Sequence, residues 1–329
     1  MFSGGENINS EQVLAGAAGP SPTQEFDEGM AFFRGRIMPL AEAQVSVATH
    51  ALHYGTGCFE GIRAYWNEER QNLYLLKAAE HYERFQDSCR MIRITCPYTV
   101  EELVETTRAL LNAGGFRCDV YIRPVAFKAS RVIKLTLREL RDDLAVYAVP
   151  LGNYIDVGGL RAMVSAWARV SDNAIPARSK LTGSYVNMAL ASDDAHEKGY
   201  DEAILLGSDG HVSEGAGSNL FIARRGTLIT PPVTADILEG ITRSIVMDLA
   251  KENGIPVEER LIDRTELYVA DEVFLTGTGA QIAPVTEIDG RTVGSGRRGP
   301  LVEHLQEMFF RAVRGDDPAH QDWVMAAYD

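Results

Sequence analysis

Residues 199–222 read GYDEAILLGSDGHVSEGAGSNLFI, and this stretch decides the predicted fold class. The apolar runs at 202–206 and 220–223 predict two strands, and Ser208-Asp209-Gly210 predicts a tight turn. Glu214 stands among small residues between the strands, where a carboxylate would either pair with a ring nitrogen of a ligand or simply belong to a turn. The stretch therefore predicts a strand-rich unit with one acidic candidate for ligand binding.

The rest of the chain alternates predicted helices with predicted strands. Residues 78–93 carry apolar residues such as Tyr82 and Phe85 at spacings of three and four, which predicts a helix with one buried face, and Arg84 falls off that face. Similar patterns predict helices at 100–113, 184–198 and 242–253, and strands at 44–49, 62–66, 73–76, 120–127, 144–149, 162–167 and 272–276. The sequence thus predicts a mixed α/β fold.

The length of 329 residues and the changes of composition along the chain predict two domains. Residues 1–28 are rich in Gly, Ala, Ser and Pro and are predicted to form a flexible N-terminal arm. A small α/β domain is expected at 29–150 and a larger domain at 161–329. Between them, residues 151–160 read LGNYIDVGGL, with three glycines and no periodicity, and are the predicted interdomain linker.

Charge and composition exclude several classes of protein. The chain has 32 Lys and Arg against 46 Asp and Glu, a net charge of −14, so we expect no general affinity for nucleic acid or anionic membranes. No apolar stretch approaches the ~20 residues that span a bilayer, and the N-terminus lacks the features of a signal peptide. The four cysteines form no C-x-x-C pair and the histidines show no zinc-site spacing, so we expect reduced thiols, no metal and a cytoplasmic protein.

Lys180 is the first candidate for chemistry. It stands in SKLTGSYVN (179–187), directly before an apolar helix and beside small residues. A Lys partly removed from water there would be a nucleophile, although a solvated Lys at a helix entrance is the commoner case. The segments ILEGITR (237–243) and TGTGA (276–280) would present backbone N–H groups to an anion such as phosphate, but an ordinary helix start and an ordinary turn remain the alternatives.

Two side chains of the predicted strand 120–127 are candidates for binding a carboxylate. The alternation of VYIRPVAF puts Tyr121 and Arg123 on one face and Val120 and Ile122 on the other. An Arg and a phenol side by side make a carboxylate receptor, whereas the alternative is an exposed strand face. The strand by itself does not decide between the two.

Taken in order, six segments resemble the class IV pyridoxal-phosphate aminotransferases, and most closely the branched-chain amino acid aminotransferases. The segments are HALHYGTGCFEGIRAYW (50–66), VYIRPVAF (120–127), SKLTGSYVN (179–187), GYDEAILLGSDGHVSEGAGSNLFI (199–222), TPPVTADILEGITR (230–243) and LYVADEVFLTGTGAQIAPV (267–285). The resemblance implies a two-domain, fold-type IV enzyme, with an N-terminal α/β domain and a C-terminal pseudo-barrel domain that binds pyridoxal 5′-phosphate. It also implies a homodimer whose active sites lie near the subunit interface.

The resemblance assigns roles to individual residues. Lys180 resembles the catalytic lysine that attaches to the cofactor and moves a proton on the substrate. The other residues that resemble cofactor-binding positions are Arg84, Tyr185, Glu214, Leu238, Ile241, Thr242 and Thr278. Those that resemble substrate-binding positions are Phe59, Tyr121, Arg123, Thr278 and Gly279, together with Tyr54 contributed by the partner subunit.

The implied activity is transfer of the amino group of Leu, Ile or Val to 2-oxoglutarate in two half-reactions at one site. Leu151 stands where many relatives have an aromatic residue, and Ser218 and Thr182-Gly183-Ser184 also depart from the commoner residues. These departures leave open an enzyme of the same fold with another amine donor, such as an (R)-amine or a D-amino acid, or a lyase. A non-catalytic binding protein is the alternative from a different class, and it would be expected to have lost the lysine or the phosphate-binding residues.

Overall fold

Two β-sheets organise the chain in the computed structural model, which describes residues 29–152 and 159–329. The strands are β1 (Met30–Phe33), β2 (Arg36–Pro39), β3 (Gly57–Phe59), β4 (Ile62–Asn67), β5 (Asn72–Leu76), β6 (Val120–Lys128), β7 (Asp142–Pro150), β8 (Leu160–Val164), β9 (Glu202–Leu206), β10 (Val212–Gly215), β11 (Asn219–Arg224), β12 (Thr227–Thr230), β13 (Val257–Glu259), β14 (Glu272–Gly277), β15 (Gln281–Ile288), β16 (Arg291–Thr292) and β17 (Val324–Ala326). The helices are α1 (His50–Tyr54), α2 (Ala78–Met91), α3 (Val100–Gly114), α4 (Tyr185–Glu197), α5 (Ile241–Glu252) and α6 (Pro300–Val313). The mixed α/β prediction is confirmed, whereas the predicted arm and most of the predicted linker lie outside the described residues.

The first sheet is antiparallel, with the order β17-β5-β4-β6-β7-β1-β2 and with β3 paired to β6. The second sheet has the order β10-β9-β8-β15-β14-β11-β12-β13, with β16 paired to β15, and it contains both parallel and antiparallel pairs. The first sheet is therefore built from the N-terminal half of the chain, except that β17 returns to it from the C-terminus. The domain limits of 29–150 and 161–329 stay a prediction.

Buried apolar side chains connect the two sheets. Tyr82, Phe85 and Leu110 of α2 and α3 are fully buried in the cluster that covers the first sheet. α5 and α6 belong to a second cluster, which contains residues of β11, β14 and β15 and also Tyr65 and Leu76 from the first sheet. Since burial of a large apolar side chain is worth ~1.5–3 kcal/mol, this shared cluster ties the two sheets together.

Local sequence signals account for the limits of the helices. α3 begins with a capping box, in which Thr99 Oγ1 accepts a hydrogen bond from the Glu102 N–H and the Glu102 carboxylate accepts one from the Thr99 N–H. It ends at Gly115, whose φ of 59° lies in the left-handed region that favours glycine. All four predicted helices lie within two residues of their predicted limits.

The strand predicted at 44–49 is wrong. These residues form a turn, in which the Thr49 N–H donates to the Ser46 carbonyl oxygen and the Ala48 N–H donates to Ser46 Oγ. Such local bonds offer the backbone an alternative to a strand ladder. The strand predicted at 162–167 runs instead from Leu160 to Val164, and α1, α6, β15 and β17 are elements that the sequence patterns above do not predict.

Two further findings bear on the classes considered above. Over residues 29–152 and 159–329, no helix has the length and apolar character needed to cross a membrane. Over the same residues, no three His, Cys, Asp or Glu side chains are grouped so as to hold a metal ion. All four cysteines are free; Cys58 and Cys89 are buried, with their sulfur atoms 3.4 Å apart, and the other two are half-buried.

Candidate active site

A cavity of about 570 Å³ lies between the two sheets and collects most of the predicted site residues. Those that line it are Phe59, Arg84, Tyr121, Arg123, Lys180, Tyr185, Glu214, Leu238, Ile241, Thr242, Thr278 and Gly279. Tyr54 does not line it; its ring packs instead on His50 within α1, with the ring centroids 4.5 Å apart. The fold thus brings together residues that are spread over more than 200 positions of the sequence.

Lys180 reaches the cavity from a backbone that both halves of the chain hold in place. Its N–H donates to Ser88 Oγ of α2 at 3.1 Å, and its carbonyl oxygen accepts from the N–H of Phe59 in β3 at 3.0 Å. Its Nζ lies 2.5 Å from the hydroxyl of Tyr185, the first residue of α4. The amine is therefore held at one point of the cavity beside a phenol.

The segment after Lys180 approaches the chain near α1 very closely. Thr182 Oγ1 donates to the carbonyl oxygens of Gly55 and Gly57, at 3.0 and 3.1 Å. A Cβ added at Gly55 would lie 2.8 Å from Gly183 Cα, and Gly55 also has a φ of 61°, so a side chain there is excluded twice over. Thr182 and Gly183, two of the departures noted in the sequence, thus connect the lysine segment to the segment that carries Tyr54.

Glu214, in β10, is a buried carboxylate with three hydrogen-bond partners. Its Oε1 accepts from Arg169 Nε at 2.8 Å. Its Oε2 accepts from Asn219 Nδ2 at 3.2 Å and from the Leu238 N–H at 3.0 Å. Burial raises the pKa of Glu214, while the charge of Arg169 and the Leu238 N–H act in the opposite direction. Sequence reasoning missed Arg169 and Asn219, because neither stands in a pattern that distinguishes it from a surface residue.

Arg84 is held by a second buried carboxylate, Glu60, which sequence reasoning also missed. Arg84 Nε and Nη2 lie 2.9 and 2.7 Å from the Glu60 oxygens, and Arg84 Nη1 donates to the carbonyl oxygen of Glu239 at 2.7 Å. Burial alone would raise the pKa of Glu60, but the Arg84 charge and the nearby His81 ring, whose Nδ1 lies 3.3 Å from Glu60 Oε1, outweigh it and hold that pKa well below its usual range. Arg84 is therefore a fixed cation at the cavity wall rather than a mobile surface charge.

The backbone around Gly240 offers N–H donors beside Arg84. Gly240 is the N-cap of α5, and no side chain of the described residues caps this helix, so the first N–H groups, those of Ile241 and Thr242, have no partner within the helix. A Cβ at Gly240 would lie 1.9 Å from Asn219 Oδ1, so only glycine fits there. A guanidinium and a helix N-terminus on one wall of a cavity suit a phosphate group.

Tyr121 and Arg123 form the opposite end of the cavity, on one face of β6 as predicted. Arg123 Nη2 donates to the Tyr121 hydroxyl at 2.7 Å, and Arg123 Cζ lies 4.5 Å from the centroid of the Phe59 ring. Tyr147 and Leu151, from β7 and the residue just after it, complete this end. Of these two, sequence reasoning singled out Leu151 and missed Tyr147.

Comparison with known proteins places this site in a family. The model of the family described as "Amino-transferase class IV" matches residues 57–288, and the chain belongs to the class IV aminotransferases. Within that class it is similar to branched-chain enzymes. It is 49% identical over 308 residues to the probable branched-chain-amino-acid aminotransferase of Aquifex aeolicus (strain VF5), covering 93% of this chain and 99% of that protein.

Solved structures of the same kind share the fold. The branched-chain aminotransferase of Thermoproteus uzoniensis with norvaline superposes with a TM-score of 0.88 at 44% identity, covering 92% of this chain and 100% of that one. The branched-chain amino acid aminotransferase of Thermobaculum terrenum, in its PLP-form, has a TM-score of 0.88 at 36% identity, covering 92% of this chain and 99% of that one. The prediction of a fold-type IV aminotransferase is therefore confirmed.

The residues of the cavity fit pyridoxal 5′-phosphate, the cofactor of this class. The group needs an amine for its aldehyde, an acid for its ring nitrogen and donors for its phosphate. Lys180, Glu214 and the wall formed by Arg84, Ile241 and Thr242 are of these three kinds. In addition, Thr276 Oγ1 is buried at the cavity without a hydrogen-bond partner in the described chain, as expected of a group that awaits a ligand.

Proposed function

We propose that the chain is a pyridoxal-phosphate-dependent transaminase that exchanges the amino group of branched-chain L-amino acids with 2-oxoglutarate, in the cytoplasm. The observation that carries the proposal is the meeting of an apolar wall and a cation next to the lysine. The ring of Phe59 forms the apolar wall. Its centroid is 4.5 Å from Cζ of Arg123, the cation, and 5.1 Å from Lys180 Nζ. One pocket can therefore accept an aliphatic side chain in one half-reaction and a carboxylate in the other.

In this proposal Lys180 carries out the proton transfer and Tyr185 positions its amine. When bound, the cofactor supplies an aldehyde that accepts the amino group and a ring that withdraws electrons from the substrate α-carbon. Lys180 Nζ would take the proton from the substrate α-carbon and deliver it to the carbon of the former aldehyde, and in the other half-reaction it would move a proton in the opposite direction. The Tyr185 hydroxyl, 2.5 Å from Nζ, keeps the amine on the cavity side of the lysine and accepts its hydrogen bond.

The remaining residues bind and orient. Glu214 would hold the ring nitrogen, with Leu238 completing that end through its N–H to the carboxylate. Arg84 and the first N–H groups of α5, together with Thr278, would hold the phosphate. Tyr121 and the Thr278-Gly279 turn would take the substrate α-carboxylate, and Arg123 the side-chain carboxylate of glutamate.

We also propose that two copies of the chain form a homodimer near this site. An exposed apolar patch, defined as Val47, Leu52, Ile133 and Leu135, has exposed fractions of 85%, 63%, 98% and 84%. Its two segments touch, since His50 Nε2 lies 2.9 Å from the Lys134 carbonyl oxygen. Tyr54 lies in the same short helix as Leu52, so a second copy seated on the patch would bring its own Tyr54 toward the neighbouring cavity.

A different amine donor is the second candidate function, and Leu151 favours it. Leu151 is a buried part of the cavity wall, and it gives more room than the aromatic residue of many relatives. That room would suit the substituent of an (R)-amine or a D-amino acid. The non-catalytic alternative loses its support, because the lysine and the phosphate-binding residues converge on one cavity.

The near-visible absorption spectrum of the purified protein separates these candidates. We expect a yellow band that bleaches on addition of L-leucine without any oxo acid and returns with 2-oxoglutarate. A band that is indifferent to L-leucine but bleached by a D-amino acid or an (R)-amine would establish the second candidate. A colourless protein that does not take up pyridoxal 5′-phosphate would refute both.

A further inference from the structure

Tyr147 lies directly beside the arginine that is proposed to bind the dicarboxylate. β6 and β7 are antiparallel neighbours, and Arg123 pairs with Tyr147 in their register. Opposite residues of an antiparallel pair have their Cβ atoms about 5 Å apart, on the same face of the sheet. Both side chains line the cavity, so the Tyr147 phenol and the Arg123 guanidinium are neighbours at its substrate end.

Arg123 has a hydrogen-bond donor that the described residues leave unused. Its Nη2 donates to Tyr121, but its Nε is buried without a hydrogen-bond partner among the residues that the structure describes. A buried guanidinium nitrogen without an acceptor is costly, and a carboxylate is the ligand that fits the planar fork. The arrangement therefore calls for an anionic group on the cavity side of Arg123.

The Tyr147 phenol is a hydrogen-bond donor under ordinary conditions. Burial raises its pKa and the nearby charge of Arg123 acts to lower it, with a net upward shift, so the hydroxyl keeps its proton at neutral pH. A carboxylate held by Arg123 has lone pairs that the guanidinium does not use. A phenol one strand away is positioned to donate to one of them.

We propose that Tyr147 is a specificity-determining residue for the dicarboxylate substrate. Its hydroxyl donates a hydrogen bond to the side-chain carboxylate that Arg123 binds. This inference rests on the proposed function, since it concerns the glutamate and 2-oxoglutarate half-reaction. An aliphatic side chain offers the hydroxyl no acceptor and contacts only the ring. The hydroxyl thus distinguishes the two substrates that share one pocket, whereas the ring serves both.

The test is Tyr147→Phe, which removes the hydroxyl and keeps the ring. We measure the second-order rate constant of the single-turnover reaction with L-glutamate by the bleaching of the cofactor band. It should fall about tenfold or more, because the lost hydrogen bond is to a charged group. The corresponding constant for L-leucine should stay within about twofold of its original value. Tyr74→Phe in β5, outside the cavity, is the matched control and should change neither constant.

A binding measurement without turnover gives a second readout. Glutarate and 4-methylpentanoate correspond to L-glutamate and L-leucine without the amino group, so they cannot react. Each should compete with the amino acids for the site. In Tyr147→Phe, the inhibition constant of glutarate should rise about tenfold, while that of 4-methylpentanoate stays unchanged. Arg123→Ala should affect glutarate at least as strongly.

Three outcomes would count against the inference, and they are distinguishable. Equal losses for L-glutamate and L-leucine would mean that Tyr147 only shapes the wall. Unchanged constants for both would mean that the hydroxyl contacts neither substrate. If the unaltered protein fails to react with L-glutamate while it reacts with another amine donor, the proposed function itself is wrong and the role of Tyr147 falls with it.

Discussion

Arg169 Nε lies 2.8 Å from Glu214 Oε1, and both side chains are 2% exposed. A lone carboxylate at this depth would lose most of its hydration, and the guanidinium compensates for that loss. The pair also orients the carboxylate, because the opposite oxygen is held by Asn219 and the Leu238 N–H. In the proposed reaction, Arg169 would therefore act through Glu214.

Replacement of this arginine should change the pH dependence of the enzyme. In Arg169→Gln, the pKa of Glu214, already raised by burial, rises further because its largest opposing influence is gone. A larger fraction of the carboxyl is then protonated at any given pH, so activity should fall about tenfold near pH 7 and recover toward alkaline pH. The turnover profile and the cofactor dissociation constant measure this effect. Arg161→Gln, on a surface ion pair with Glu287, is the matched control, and a profile like that of the control would contradict the role of Arg169.

Lys180→Ala should abolish transamination, since no other amine lines the cavity among the described residues. The variant should still bind pyridoxal 5′-phosphate through the proposed phosphate site at Arg84, Ile241 and Thr242. Without the lysine, however, the cofactor should be removable by dialysis. Lys198→Ala, an exposed lysine of the segment after α4, should behave like the unaltered protein. Retained turnover would direct attention to Lys128, a buried lysine outside the cavity that is paired with Asp142 at 2.8 Å.

Glu60→Gln should destabilise the fold at neutral pH and weaken the proposed phosphate site. The folded-state pKa of Glu60 lies below the unfolded value of about 4.3, so its contribution is present above that pH and is lost as the pH falls toward the folded-state pKa. The variant should unfold at a lower urea concentration near pH 7, because its free energy of unfolding is lower by about 1–3 kcal/mol. This difference in the free energy of unfolding should shrink below pH 4. Cofactor affinity should fall, because Arg84 loses the charged carboxylate that holds its guanidinium in place. Glu83→Gln, an exposed neighbour on α2, should show neither change, and a constant difference at all pH values would argue against the ionised pair.

Ile133→Asp should separate the proposed dimer. A carboxylate within the exposed apolar patch would have to be buried without a partner, which is costly at an interface. We expect sedimentation or light scattering to report a monomer, with activity lost because the second copy no longer supplies Tyr54. Val269→Asp changes an equally apolar residue, 58% exposed, elsewhere on the surface and should remain dimeric. A dimer that survives Ile133→Asp would show that the patch is not the interface.

Elements with strong local signals were predictable from the sequence. The capping box at Thr99 and the glycine at position 115 define α3, and periodicity defines α2, because each signal lies within a few residues of the element it controls. β17 was not predictable, since a three-residue strand gains its stability only from its pairing with β5, about 250 positions earlier. The turn at 44–49 was mistaken for a strand because its hydrogen bonds to Ser46 depend on local geometry that apolar alternation does not reveal.

The ordered motifs of the sequence determined the class of fold and, through their resemblance to a family, identified many of the residues that line the cavity. Tertiary structure alone decided what stabilises those residues. Glu60 lies 24 positions from Arg84, and Arg169 lies 45 positions from Glu214, and nothing in either segment specifies its partner. The charge of a buried side chain is set by the groups that surround it in space, and only the folded chain brings those groups within hydrogen-bonding distance.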